Sequence, residues 1–96
     1  MAAYAIFIRE GAVTDPEAMA RYQSGNRGGP PNPGMKALAL YGAMEQLEGE
    51  PVDGAVILEF PNMAAAREWY FSNDYQSRVP HRMAAAPYRA MLVEGL

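Results

Sequence analysis

The sequence predicts an α+β fold: a four-stranded antiparallel sheet in ferredoxin-like βαββαβ order, with two helices on one face. Three observations carry that reading. Four runs rich in apolar, β-branched or aromatic residues read as strands. Two segments with helix-start signals separate the first run from the second and the third from the fourth. The middle two runs follow each other without a helix, and right-handed crossovers then put both helices on the same face.

The elements follow in order. "YAIFI" (residues 4–8) is the first strand, closed by Arg9-Glu10-Gly11. "TDPEAMARYQ" starts a helix, with Asp15 as cap, Pro16 at the first helical position and Glu17 at the positive end of the dipole. Ala18, Met19 and Tyr22 form its apolar stripe. "SGNRGGPPNPG" (residues 24–34) holds four glycines and three prolines. It reads as a long loop that no helix crosses, either functional or a plain connection. "KALALYGAMEQLEG" (residues 36–49) reads as the second strand, with Gly42 as a bulge or a close backbone approach. "AVILEF" (residues 55–60) is the third. Pro61 ends it, Asn62 caps, and "MAAAREWYF" is the second helix, with Met63, Ala66 and Tyr70 on one stripe and Trp69 beside it. "SNDYQSRVPHRMAAAP" reads as irregular or a short helical turn, broken by Pro80 and Pro87, before the last strand, "YRAMLVEG".

The third and last strands are apolar on both faces. Val56, Leu58 and Phe60 oppose Ala55 and Ile57, and Ala90 and Leu92 oppose Met91 and Val93. A sheet with one wet face alternates apolar with polar residues. Two helices cover one face only, so a second copy of the sheet is expected on the other, giving an obligate homodimer.

Composition narrows the partners. The chain has 96 residues, half of them apolar, which fits one domain over 1–96. Net charge is −3, with no Lys/Arg cluster to bind nucleic acid. The absence of cysteine excludes disulfides and thiolate metal sites and fits a reducing cytoplasm. The N-terminal apolar run lacks the basic start of a signal peptide and is far shorter than the roughly 20 residues of a membrane span. A soluble, cytoplasmic protein is expected.

Candidate site residues are few. His81, the single histidine, reads as a general base or as a surface residue. With no cysteine and no paired carboxylates beside it, neither a metal nor a cofactor is expected. Arg27, with Asn26, sits in the glycine-rich stretch and reads as a clamp for a carboxylate or phosphate, or as a solvated charge. Tyr41 reads as a hydroxyl donor to substrate or as a strand aromatic. Glu59 reads as the partner of Arg9 or Arg89 in a sheet seam, or as a base if it faces a cavity. Tyr70 is expected in the core and Trp69 at the helix edge, under a loop or on a cavity wall. The connections holding Arg27 and His81 are expected at the same end of the sheet, as the two rims of one pocket.

"AVILEFPNMAAAREWYFSNDYQ", the terminal "YRAMLVEGL", "TDPEAMARY" and "YGAMEQLEGE" together resemble the domain of unknown function family 1330 (DUF1330) over nearly the whole chain. The resemblance implies a dimeric α/β barrel, in which two protomer sheets pack face to face with helices outside. It also implies a ligand cavity between each sheet and its helices. Related superfamilies include cofactor-independent monooxygenases, haem-degrading enzymes and polyketide cyclases, but the family has no agreed reaction and lends no catalytic residue. Three functions follow as expectations: a dimer binding a small aromatic or carboxylated metabolite, a cofactor-independent oxygenase or cyclase, or a structural dimer without ligand.

Overall fold

The structure, a computed structural model, describes the backbone of residues 1–28 and 34–96 and all of their side chains outside 25–28. In chain order the elements are β1 (Ala3–Arg9), α1 (Pro16–Gly28), β2 (Lys36–Leu40), β3 (Gly54–Phe60), α2 (Met63–Tyr70), α3 (Asn73–Gln76), α4 (Val79–Ala85) and β4 (Tyr88–Glu94). The strands form one open sheet in the order β2-β3-β1-β4, with every neighbouring pair antiparallel. This is the expected α+β, ferredoxin-like arrangement, with β2 and β4 as its edges.

The period-2 alternation of the strands decides the layers. Ala3, Ala5 and Phe7 of β1 and Val56, Leu58 and Phe60 of β3 are buried against Ala18, Met19, Tyr22, Ala66, Tyr75, Val79 and Ala85. The opposite face is apolar too. Ile6 stands between Ile57 and Met91, Ile8 beside Ala55, and Tyr4 between Glu59 and Val93. Met91 and Val93 are exposed in the isolated chain.

The helix starts follow their capping residues. Asp15 accepts from the Ala18 N–H at 3.0 Å and Asn62 from the Ala65 N–H at 2.8 Å. Ser72 caps α3 by accepting from Tyr75.

Four expectations change. Helix α1 continues through residues 24–28, where a loop was expected. A helical glycine costs only about 1 kcal/mol against alanine, whereas an interior proline costs about 3, and the first proline comes later, at position 30. The supposedly irregular stretch holds α3 and α4, and Pro80 lies in the first turn of α4. Its missing N–H is harmless there, so it starts the helix that it was expected to break. Strand β2 ends at Leu40, because Tyr41 takes φ 53° and turns the chain out of the sheet. The register shift lies between Ala37 and Ala39, and Gly42 has open space around it, not a close backbone neighbour.

Candidate functional site

Strand direction sorts the loops. β2 begins opposite Glu59, at the end of β3, and β4 begins opposite Arg9, at the end of β1. Each right-handed crossover returns the chain parallel to the strand it left. Since β1 and β3 are antiparallel, the two crossovers return at opposite ends. Gly34, which closes the first connection, lies against Pro61, far along the sheet from Tyr88. The single pocket expected between these two connections is therefore corrected. The side chains of Asn26 and Arg27 fall outside the described residues.

Chemistry gathers instead at the end where β1 finishes and β4 starts. Helix α4 presents Val79, Arg82 and Ala85 to the interior at helical spacing. Arg82 is only 3% exposed. Its guanidinium lies 5.4 Å from the Phe7 ring centroid and 5.2 Å from that of Tyr88. It also reaches the Tyr75 hydroxyl. Its Nε has no hydrogen-bond partner, and neither ion pair among the described residues includes it. These two pairs are Arg78–Asp74 and Arg89–Glu10. A buried cation without an anion is costly, by several kcal/mol even after relaxation.

Tyrosines surround this cation. The hydroxyls of Tyr22 and Tyr75 are 2.7 Å apart, as are those of Tyr41 and Tyr88. Burial raises the pKa of Tyr75 above its usual value, and the neighbouring Tyr22 adds to the effect. Burial likewise raises that of Tyr41, followed by its hydrogen bond with Tyr88. Both hydroxyls therefore stay protonated at neutral pH and can donate. Tyr41 is 42% exposed and forms the outer side of the cluster. Its left-handed backbone is strained for a bulky residue, at roughly 1–3 kcal/mol, and such strain concentrates at functional sites. Its ring lies over Gly54, where an added Cβ would come within 2.7 Å of Cδ1. The close approach expected at Gly42 is thus made by Tyr41 on Gly54. Arg9 completes the group. Its guanidinium is 5.5 Å from the Tyr41 ring centroid, it donates to the Asp53 carbonyl at 2.9 Å, and its Nε is buried and unpartnered.

Of the residues singled out in the sequence, Tyr41 joins this cluster. His81 is next to Arg82 in sequence but off the buried stripe of α4, and is half-exposed. Trp69 is the middle of an aromatic group, with ring centroids 4.3 Å from Tyr75, 5.4 Å from Phe60 and 6.1 Å from Phe7. Tyr70 is half-buried and faces a groove of about 280 Å³ between α2 and β4, lined also by Phe7, Arg67, Phe71 and Leu92. The fully buried aromatics of this region are Phe60 and Tyr75, at 0% and 1% exposure. Glu59 pairs with neither expected arginine. It sits on the helix-free face beside Lys36, while Arg9 and Arg89 are at the other end of the sheet.

Arg82, Tyr88, Tyr75 and Tyr22 were missed. The available signal was an arginine three residues from Val79 and three from Ala85, on an otherwise apolar stripe. It was hidden by reading Pro80 as a helix breaker.

This open sheet with helices on one face and a tyrosine–arginine cluster beneath them defines a ferredoxin-like protein with a buried cationic centre. The chain matches the family described as Domain of unknown function (DUF1330) over residues 2–96, and belongs to it. Among solved structures it is similar to a protein of unknown function from Rhodopseudomonas palustris, with TM-score 0.64 and 21% identity over 99% of this chain and 82% of that one. It is also similar to an ethyl tert-butyl ether (EthD) family protein from Bacillus halodurans, with TM-score 0.63 and 14% identity over all of both chains. A third likeness is to a dimeric ferredoxin-like protein of unknown function from Bacteroides fragilis, with TM-score 0.53 and 10% identity over 98% of this chain and 96% of that one. At these identities the likeness carries the fold alone. No curated protein matches the chain. No helix among the described residues is long and apolar enough to cross a membrane.

Proposed function

We propose that this protein is a homodimer, joined through its helix-free sheet faces, that holds a small aromatic carboxylate between sheet and helices. One observation carries the ligand reading: Arg82 is buried without an acidic partner among the described residues. A cation kept out of water at that cost is stabilised when a ligand supplies the missing anion. A guanidinium fork suits a carboxylate. The rings of Phe7 and Tyr88 beside it suit a flat apolar body, and the Tyr41–Tyr88 hydroxyl pair supplies donors. The dimer reading rests on the apolar second face around Ile6, Ile57 and Met91. The dimeric neighbour from Bacteroides fragilis supports it.

The test is a thermal shift with benzoate and with benzamide, its neutral counterpart. A ligand at 100 times its dissociation constant adds about 2.7 kcal/mol of stability. Benzoate is expected to raise Tm and benzamide to leave it unchanged. Equal responses, or none across substituted benzoates, contradict the reading.

A second reading, a cofactor-independent oxygenase or cyclase, draws on the strained, protonated Tyr41. Its hydroxyl, with that of Tyr88, could stabilise an oxyanion developing on an electron-rich ring. Oxygen consumption with a hydroquinone probe, abolished in Tyr41→Phe, separates this from binding alone.

A further inference from the structure

We infer that residues 42–52 form an arm that lies along the β4 edge of a second copy, in the groove between that copy's α2 and β4. The inference rests on the homodimer reading. Its starting point is an unusual connection. Antiparallel neighbours such as β2 and β3 are commonly joined by two to five residues. Here the chain leaves the sheet at Tyr41 and returns at Asp53.

The base of the arm is fastened and its length is not. The Tyr41 N–H donates to the Ala55 carbonyl at 2.9 Å, and the Asp53 N–H to the Arg9 carbonyl at 2.8 Å. Between them, among the described residues, no backbone group of 42–52 bonds to the body of the chain. The hydrogen bond from Gln46 Nε2 to the Glu48 carbonyl stays within the arm. Leu47 is 84% exposed and Met44 49%. A segment with free backbone groups and exposed large apolar side chains is suited to adding onto a sheet edge.

The receiving edge has matching features. β4 bonds to β1 on one side only, so its other side is open. Both of its faces are apolar. The helix side is the groove beneath Tyr70 and Phe71, and the other side carries exposed Met91 and Val93. Met44 and Leu47 are three residues apart, so they leave opposite faces of an extended chain and can meet both. Charge agrees as well. The arm carries Glu45, Glu48 and Glu50. The groove carries Arg67, stacked 5.1 Å from the Phe71 ring centroid and in neither ion pair among the described residues. Reach is sufficient, since 11 residues going out and back extend about 18 Å from a base fastened at both ends, and a four-stranded sheet is about 14 Å wide between its edge strands.

The test uses the absence of native cysteine. Leu47→Cys and Phe71→Cys are co-expressed on separate, differently tagged chains, oxidised in air, and compared with Leu47→Cys beside Gln23→Cys on the exposed face of α1. Light scattering is run on the unsubstituted protein in parallel. The expected result is a dimer, with a mixed disulfide for the first pair and none for the second, because a disulfide requires Cα atoms within about 7 Å. Leu47→Asp is expected to raise the dimer dissociation constant at least about tenfold. A dimer with no Leu47–Phe71 disulfide and an unchanged dissociation constant overturns the arm and leaves the homodimer standing. A stable monomer overturns both.

Discussion

Replacing Arg82 with methionine separates a cation kept for a ligand from one kept for the fold. Methionine preserves much of the side-chain volume and removes the charge. The losses are two cation–π contacts, at 5.4 and 5.2 Å, each about 0.5–2 kcal/mol. The favourable electrostatic effect of the guanidinium on the Tyr75 hydroxyl is lost as well. Against these stand several kcal/mol of desolvation for an unpaired buried charge, together with the orphaned Nε at about 1–3. The terms nearly cancel, so urea unfolding of Arg82→Met is expected within about 2 kcal/mol of the parent protein. Ligand binding is expected to respond very differently. A lost charged hydrogen bond of about 1.5–3 kcal/mol lowers benzoate affinity roughly 10–150-fold. A loss of more than about 4 kcal/mol in stability, with the benzoate response intact, would make Arg82 a structural cation and refute the reasoning.

Three further outcomes are expected. Tyr75 has its pKa raised above the usual 10.0, so its stabilisation is complete below pH 10 and is lost as pH rises further. Unfolding free energy should fall by about 1.4 kcal/mol per pH unit above 10 on account of this group, and urea titrations at pH 9 and 11 should show that slope reduced in Tyr75→Phe. Ile57→Asp puts a charge at the centre of the helix-free face, and light scattering should then show a folded monomer; an unchanged dimer places the interface elsewhere. Trp69→Ala, which removes the shared neighbour of Tyr75, Phe60 and Phe7, should cost about 2–4 kcal/mol in urea unfolding, more than Tyr70→Ala at the groove. Equal, small losses at both positions contradict that packing.

The sheet was legible because its strands are short runs of apolar, β-branched and aromatic residues and its long helices carry caps. Asp15 and Asn62 bond as their positions imply, and Val56, Leu58 and Phe60 point inward together. The apolar second face was legible for the same reason. What failed was local punctuation. Glycine and proline were read as breaks wherever they occurred, although glycine is tolerated in α1 and proline is favoured in the first turn of α4. The site suffered most from this. Once α4 was dismissed, Arg82 lost the helical frame that points it inward, and its sequence neighbour His81 drew the attention. The tyrosine cluster was illegible for a different reason. Tyr41 meets Tyr88, and Tyr22 meets Tyr75, across 47 and 53 residues, pairings that no local spacing encodes.

The most direct measurement is a crystal structure of the protein grown with benzoate. The account predicts the carboxylate within hydrogen-bonding distance of the Arg82 guanidinium, with the ring beside Phe7 and Tyr88 and the Tyr41 hydroxyl at the outer side. Benzoate in the α2–β4 groove alone, or an Arg82 whose surroundings stay closed and unchanged at saturating benzoate, would contradict it.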